Sequence, residues 1–302
     1  MPDPAPRLTR QDIARRVARE LPDGATVNLG IGIPAFCANF VPHGVELRYQ
    51  AENGILGFGE HYPDGEGDPD VMDAGGKFPK RSPGMAFFDS VDSFAMIRGG
   101  HIDVTVLGAL QVSRHGDLSN WMIPARGIGS IGGAMDLATN TRRVIIAMEH
   151  TAKAPAPRLP SPFQGEGQGV GRHSSSARPE PVTAARPEPA TAARPELAEG
   201  PRLPSSSQGE GEGRGRLAAH PSQVKNLLAN GEVAKIVEEC DYPLTARRCV
   251  SMIVTDIAVI DVLTEGRGLV LRETAPGWDA KAVQAVTAAR LQVPAGLKVV
   301  SF

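Results

Sequence analysis

The chain has 302 residues, a formal net charge of −2 and 41% hydrophobic residues, which predicts a globular protein with a sizeable core. The near-neutral charge and the lack of a basic stripe interleaved with aromatic residues argue against nucleic-acid binding. No apolar run approaches the roughly 18 residues of a membrane span, and the N-terminal residues lack the apolar segment of a signal peptide.

Helical and strand patterns alternate along the chain. Residues 9–24 predict an amphipathic helix with Thr9 as its N-cap and Asp12 three residues later. An apolar strand in residues 25–33 ends in glycines, and Pro34 suits the first turn of a following helix. Continuous apolar strands between helices indicate an α/β fold with a mostly parallel sheet covered on both faces. The remaining predicted strands are residues 45–51, 102–110, 142–148, 257–262 and 268–273, and the remaining helices are residues 90–100 and 279–289.

Residues 154–230 have a different composition from the rest of the chain. Units of the type ARPEPVTA repeat at eight-residue steps, and the segment beginning RLPSPFQGEG at Arg158 returns as RLPSSSQGEG at Arg202. Such Pro-, Gly-, Ser- and Glu-rich sequence has too few large apolar side chains to offset the entropy of ordering, so we predict a disordered insertion. Residues 1–153 and 231–302 then form one domain, and the insertion occupies a surface loop.

A first candidate site lies where the strand of residues 25–33 ends. Gly30, Gly32 and Ala35 fit the pattern G-x-G-x-x-A, and Glu52 follows about twenty residues later, as the ribose-binding acid of a dinucleotide fold would. This pattern admits an NAD-dependent oxidoreductase as an alternative. Pro34 argues against it, because proline removes one helix N-terminal donor for a pyrophosphate. A tight strand-to-helix turn without a ligand is the other interpretation.

The second candidate is the stretch AENGILGFG, which follows the strand of residues 45–51. Glu52 and Asn53 come at the strand end, and the glycines at positions 54, 57 and 59 allow close backbone approach and free N–H groups. A carboxylate there can act as a nucleophile toward an activated carbonyl. From the residues alone, a glutamate at a strand end is more often a loop cap or a solvated charge than a nucleophile.

Gly132 and Gly133 form a third glycine turn, whose adjacent backbone donors could stabilise an oxyanion or hold a phosphate, or simply begin a helix. The histidines show no H-x-x-x-H or triad spacing, and no G-x-S-x-G is present, so we predict neither a metal site nor a serine hydrolase. Cys37, Cys240 and Cys249 lack zinc-ligand spacing, which favours reduced thiols in a cytoplasmic protein.

Several long segments together resemble the B (beta) subunit of the 3-oxoacid CoA-transferases, a family that includes succinyl-CoA:3-ketoacid, 3-oxoadipate and acetate transferases. The resemblance implies a CoA-transferase-like α/β fold, no permanently bound cofactor and a coenzyme A thioester as substrate. It also implies an A (alpha) partner subunit, in an α2β2 assembly. The segments that carry it are VNLGIGIP, AENGILGFG, FAMIRGGHIDVTVLGALQVSRHGDLSNWMIP, GGAMDL, AMEHTAK and AKIVEECDYPLTARRCVSMIVTDIAVIDV.

The resemblance implies that Glu52 is the nucleophile, which attacks an acyl-CoA thioester and later carries CoA as a glutamyl thioester. Asn28 is then expected near Glu52, and Gly133 and Ala134 are expected to offer backbone N–H groups to the thioester oxygen or to CoA. A non-catalytic CoA-binding subunit is a further alternative. The supporting loop residues are Gly30, Gly32, Asn53 and Gly54.

Two details of the glutamate stretch add expectations. Ile55, Leu56 and Phe58 are expected to help keep water from the reactive intermediates. Ala51 stands where this family commonly has Ser or Thr, so any hydroxyl contribution at that position is absent.

Overall fold

The computed structural model describes residues 3–63, 65–124, 127, 129–153, 226–263 and 267–301, all of them in one compact unit. The predicted disorder of residues 154–225 lies outside the described residues. In the described ranges, no helix is long and apolar enough to cross a membrane. The α-helices of these ranges are α1 (Arg10–Ala18), α2 (Ser90–Arg98), α3 (Ala134–Asn140) and α4 (Ala280–Ala285), and a 3-10 helix spans Pro34–Asn39.

The strands of the described residues belong to one large sheet and two small ones. They are β1 (Thr26–Leu29), β2 (Arg48–Ala51), β3 (Ile55–Phe58), β4 (Ala86–Phe87), β5 (Val104–Leu107), β6 (Gln111–Ser113), β7 (Leu118–Ser119), β8 (Arg143–Ala147), β9 (Thr151–Lys153), β10 (Glu232–Ala234), β11 (Ile236–Val237), β12 (Val250–Val254), β13 (Ala258–Leu263), β14 (Gly268–Thr274), β15 (Leu291–Gln292) and β16 (Lys298–Val299).

The large sheet has eleven strands in the order β15-β14-β13-β12-β8-β5-β1-β2-β3-β4, with β16 also paired to β14. The adjacent strands β12, β8, β5, β1 and β2 all pair in parallel, which confirms the predicted parallel sheet. Antiparallel pairs flank this centre, β12–β13 and β13–β14 on one side and β2–β3 and β3–β4 on the other. The carboxyl ends of β1, β2 and β5 therefore lie at one edge of the sheet.

Both faces of the sheet are covered, as predicted from its apolar strands. Successive residues of β8 alternate between two cores: Ile145 belongs to the core that includes Val17 of α1, and Ile146 to the core that includes Ile97 of α2 and Leu137 of α3. This alternation follows from the two-residue period of a strand. The second core holds the helices that face the candidate site.

The helix starts follow the local signals in the sequence. Thr9 caps α1 and exchanges hydrogen bonds with Asp12 in a capping box. Asp89 caps α2 by accepting from a backbone N–H in its first turn, and Gly99 ends that helix. Pro34 begins a helix as predicted, although that helix is 3-10 rather than α.

The two ends of the long insertion meet on neighbouring strands. β9 and β10 pair in antiparallel register, and the last pair is Lys153 with Glu232. On the other side of β10, Ala234 N donates to the carbonyl of Asn226 at 2.9 Å, so residues 226–230, which we predicted to belong to the insertion, are part of the folded domain. Arg7 donates to Thr151 Oγ1 and to Glu232 Oε2, both at 2.8 Å, which ties this ladder to the N-terminal segment.

Candidate active site

Glu52 lies at the carboxyl end of β2, in a three-residue turn that leads directly into β3. The turn is closed by Gly54 N, which donates to the carbonyl of Ala51 at 3.0 Å. Gly54 has φ +114°, and a Cβ at this position would overlap the carbonyl oxygen of Phe88. The expectation of a free Gly54 N–H is therefore wrong, because a hairpin rather than an open loop follows the glutamate.

Asn28 of β1 contacts the glutamate, as expected. Its Nδ2 donates to Glu52 Oε2 at 3.1 Å, and also reaches the Gln50 backbone carbonyl at 3.1 Å and Gln50 Oε1 at 2.8 Å. Asn28 is fully buried and Glu52 is half-buried. The parallel register pairs Asn28 with Gln50, so the glutamate two residues beyond Gln50 projects from the same face of the sheet.

Two buried polar residues that the sequence analysis did not single out extend this contact into α2. Gln50 Nε2 donates to Ser93 Oγ at 2.6 Å, and Ser93 Oγ donates to the carbonyl of Ala51 at 3.2 Å. Gln50 and Ser93 are at most 1% exposed. The available signal was a glutamine two residues before Glu52, since those two positions share a strand face.

Gly133 lies against the side chain of Glu52. A Cβ built on Gly133 would be 3.5 Å from Glu52 Cγ and 3.2 Å from the ring of Phe94. Any side chain at position 133 would thus occupy the space beside the carboxylate. Gly133 caps α3, and Ala134 N donates to the carbonyl of Ile131 at 3.2 Å, a bond that a ligand at that amide would have to replace.

A contact between α2 and α3 keeps these elements together. Arg98 near the end of α2 donates from Nε to Asp136 Oδ1 at 2.8 Å and from its second nitrogen to Oδ2 at 3.3 Å. The same guanidinium lies 5.4 Å from the ring centroid of Phe94. The first turn of α3, with Gly133, lies beside the Phe94 ring and the glutamate.

The apolar neighbours predicted for Glu52 lie mostly elsewhere. Ile55 and Phe58 are buried in the core that includes α1, together with Ala51, so their expected role beside the carboxylate is wrong. Leu56 pairs with Gln50 and is half-exposed. Because successive strand residues face opposite sides, a side chain at position 51 points away from Glu52.

The other predicted loop residues are dispersed around the same sheet edge. Asn53 is exposed and donates to the Met72 carbonyl at 2.7 Å. Gly30 N donates to the Val106 carbonyl at 2.8 Å, so this N–H is not available to a dinucleotide phosphate. Gly32 is exposed with φ +85° and open space around its Cα. Among the described residues, no group of three or more His, Cys, Asp or Glu side chains could hold a metal ion.

Comparison with known proteins assigns the family. The coenzyme A transferase profile matches residues 10–161. The beta subunit of acetate CoA-transferase from Escherichia coli (strain K12) is 37% identical over 288 residues, covering 95% of each chain. The chain belongs to the coenzyme A transferase family. A second relative in this family, the B subunit of succinyl-CoA:3-ketoacid coenzyme A transferase from Helicobacter pylori (strain ATCC 700392 / 26695), is 50% identical over 144 residues, 48% of this chain and 69% of its own length.

Solved structures confirm the coenzyme A transferase fold. An acyl-CoA transferase apoenzyme from Escherichia coli O157:H7 matches with a TM-score of 0.56 and 18% identity; the match covers 98% of this chain and 44% of the other. This chain therefore spans less than half the length of that protein. A variant of the decarboxylase AibA/AibB matches with a TM-score of 0.53 and 15% identity over 97% of this chain and 90% of its own. Since a decarboxylase shares the fold, the fold alone does not determine the reaction.

Proposed function

We propose that the protein is the nucleophile-bearing B subunit of a CoA-transferase that moves CoA between a 3-oxoacid and a carboxylic acid such as succinate or acetate. The observation that carries this proposal is the Glu52 carboxylate at the strand end, held by the Asn28 amide on one side and bordered by Gly133 on the other. The similarity to the beta subunit of an acetate CoA-transferase covers 95% of that subunit, which supports the same reaction class.

The proposed chemistry needs a carboxylate and no metal or ATP. Glu52 Oε attacks the thioester carbonyl carbon, and the tetrahedral intermediate expels CoA thiolate to leave a mixed anhydride. The thiolate then attacks the Glu52 acyl carbon, which expels the first carboxylate and leaves a glutamyl-CoA thioester. The acceptor carboxylate repeats these steps in reverse, so acyl activation is conserved throughout.

The surroundings of Glu52 suit the charge changes of this route. Each tetrahedral intermediate places negative charge on a former carbonyl oxygen, and the Asn28 amide at 3.1 Å can donate to such an oxygen on the glutamyl group. The backbone N–H of Gly133 is proposed as the donor to the thioester oxygen, with that of Ala134 beside it. Removing one such donor typically lowers a rate by about 10²–10³.

A partner subunit is part of the proposal, because large apolar side chains are exposed at and beside the edge that bears Glu52. Three such side chains, each close to half exposed or more, are Met72, Phe87 and Met135. The Met72 carbonyl accepts from Asn53, Phe87 pairs with Ile55, and Met135 follows Ala134 in α3. Clustered exposed apolar residues support a surface that another chain covers. We propose an A subunit in that place, in an α2β2 assembly, and expect the lone chain to lack transferase activity.

The test is covalent capture of the nucleophile. The chain is mixed with its A subunit and acetoacetyl-CoA and treated with borohydride, which reduces a glutamyl thioester to an alcohol, and the peptide containing Glu52 is measured by mass spectrometry. We expect the reduced residue in the wild type and in the control Glu60→Gln, whose carboxylate is exposed, and its absence in Glu52→Gln. Transferase activity retained by Glu52→Gln would contradict the covalent route and leave the non-catalytic role as the alternative.

The acyl specificity and the compartment are proposals of the same kind. A panel of acyl-CoA donors with succinate, acetate and 3-oxoadipate as acceptors separates the family's reactions by kcat/KM. The free thiols of Cys37, Cys240 and Cys249 support a reducing, cytoplasmic compartment.

A further inference from the structure

We infer that Ser93 and Gln50 are positioning residues that orient the Asn28 amide with its NH2 group toward Glu52, an inference that rests on the proposed role of Glu52. Neither side chain donates to the carboxylate. They act through Asn28, in a row of hydrogen bonds that begins at the Ala51 carbonyl and ends at Glu52 Oε2.

The donor-to-acceptor direction of these hydrogen bonds is determined at the Ala51 carbonyl. A backbone carbonyl only accepts hydrogen bonds, so the Ser93 hydroxyl must donate to the Ala51 oxygen, 3.2 Å away. The hydroxyl oxygen is then left as the acceptor for Gln50, 2.6 Å away, and the Gln50 amide must present its NH2 group there. Its carbonyl oxygen Oε1 consequently faces Asn28.

The same reasoning determines the orientation of the Asn28 side-chain amide. Gln50 Oε1 and the Gln50 backbone carbonyl both accept, and they lie 2.8 Å and 3.1 Å from Asn28 Nδ2. The NH2 group of Asn28 is therefore the group that turns to this side, and its second hydrogen is directed to Glu52 Oε2. Asn28 Oδ1, on the other side of the amide, is buried without a hydrogen-bond partner among the described residues.

Loss of the Ser93 hydroxyl removes the acceptor that orients the Gln50 amide. Without an acceptor at position 93, the Gln50 amide can rotate by half a turn and present NH2 to Asn28. The NH2 groups of Gln50 and Asn28 would then repel each other at about the 2.8 Å that now separates Asn28 Nδ2 from Gln50 Oε1. If the Asn28 amide rotated by half a turn instead, its acceptor Oδ1 would face the Glu52 carboxylate. A carboxylate facing a carbonyl oxygen is both displaced and deprived of its donor, so the nucleophile loses its alignment.

Three features distinguish this row from ordinary core packing. Asn28, Gln50 and Ser93 are all at most 1% exposed, so no solvent replaces a missing partner. Gln50 and Asn28 are register partners on neighbouring parallel strands, while Ser93 comes from the helix above them. The row thus couples the position of α2 to the orientation of an amide that touches the reacting carboxylate.

The experiment compares Ser93→Ala with Ser119→Ala. Ser119 is an equally buried serine whose hydroxyl donates to the Tyr242 carbonyl at 3.0 Å, so its substitution removes the same kind of bond outside the row. The side-chain amide signals of Asn28 are followed by NMR in the full chain labelled with ¹⁵N-asparagine, and assigned by their absence in Asn28→Asp. In parallel, kcat and KM are measured in the complex with the A subunit.

We expect Ser93→Ala to shift the Asn28 amide signals, speed their exchange with solvent and lower kcat about tenfold, equivalent to about 1.4 kcal/mol, with KM within about twofold. Ser119→Ala should change neither the Asn28 signals nor kcat. Unchanged Asn28 signals in folded Ser93→Ala would overturn the inference, whatever the activity. A response of the Asn28 signals in a protein that forms no glutamyl adduct would support the positioning row and refute the proposed function.

Gln50→Met provides a second route if Ser93→Ala folds poorly. This variant keeps the side-chain length and removes the amide, so it should move the same Asn28 signals. Because the residues act as one row, the double variant Ser93→Ala/Gln50→Met should lose no more activity than Gln50→Met alone. Additive losses in kcat would contradict the row and indicate two independent packing effects.

Discussion

The long insertion can be removed at its base, and the protein's own sequence supplies the replacement turn. Deleting residues 154–229 joins Lys153 through Asn230 and Gly231 to Glu232. Lys153 and Glu232 are already the last antiparallel pair of β9 and β10, and Asn-Gly is the preferred two-residue connection of such a pair, as a type I′ turn. We therefore expect a folded protein with an ordinary hairpin in place of the insertion.

The change in stability follows from two opposing contributions. Replacing a connection of roughly 80 residues with one of two residues reduces the loop-closure cost by up to about 3 kcal/mol. The deletion also removes hydrogen bonds made by Asn226 and Leu228, to Asp241, Glu232 and Ala234. At about 1 kcal/mol for each of these three bonds, and with the packing of Leu228 against the core also lost, the gain is offset. The free energy of unfolding should therefore stay within about 1 kcal/mol of the wild type.

Urea unfolding followed by far-ultraviolet circular dichroism measures this free energy. The matched control deletes residues 156–231, which removes the same number of residues but leaves Ala154 and Pro155 as the turn. Proline fixes φ near −65°, whereas a type I′ turn needs positive φ at both positions, so the control should be clearly less stable. Equal stability of the two deletions, or a non-cooperative transition for the Asn-Gly deletion, would refute the assigned register of β9 and β10.

Two further substitutions test the backbone and a buried titratable group. Gly54→Ala should lower the free energy of unfolding by at least about 2 kcal/mol in urea unfolding, because the added Cβ meets the Phe88 carbonyl. The control Gly32→Ala, at a glycine with positive φ but open space around it, should lower it by about 1 kcal/mol. Equal losses in the two variants would exclude the steric argument. Burial and the nearby Arg7 and Lys235 charges lower the pKa of His150 from 6.5 to about 3, so below pH 6.5 the unfolded chain binds a proton that the folded chain does not. Stability should fall by about 2 kcal/mol between pH 6.5 and 5, and His150→Gln should show a correspondingly flatter pH dependence in the same urea assay.

Features determined by neighbouring residues were predictable from the sequence. The capping box of Thr9 and Asp12 begins α1, and Gly99 ends α2, because both signals act within one helical turn. The apolar strands likewise indicated the parallel centre of the sheet. The antiparallel flank at β3 was missed, since three glycines in six residues are typical of a loop and only the pairing of Ala51 with Ile55 reveals a hairpin.

The candidate site depended on contacts between distant residues. Resemblance to a family gave Glu52, Asn28 and Gly133, and the structure brings these three residues together. Gln50 and Ser93 were not predicted, because their role exists only once β1, β2 and α2 are adjacent. Burial of a polar residue is not visible in a sequence, so a glutamine in a strand has the same appearance whether it faces solvent or a catalytic group.

The orientation of Ala51 changes how variation at that position should be understood among relatives. Its side chain packs with Tyr49 and Phe58 in the core beneath α1, while its carbonyl accepts from Ser93. Natural selection at position 51 therefore acts on the volume of the side chain and its fit to that core. The reaction depends on this position through its backbone carbonyl, which every amino acid supplies. Exchanges among small residues at position 51 should accordingly co-vary with positions 49 and 58 across an alignment, and should be independent of which acyl group each transferase carries.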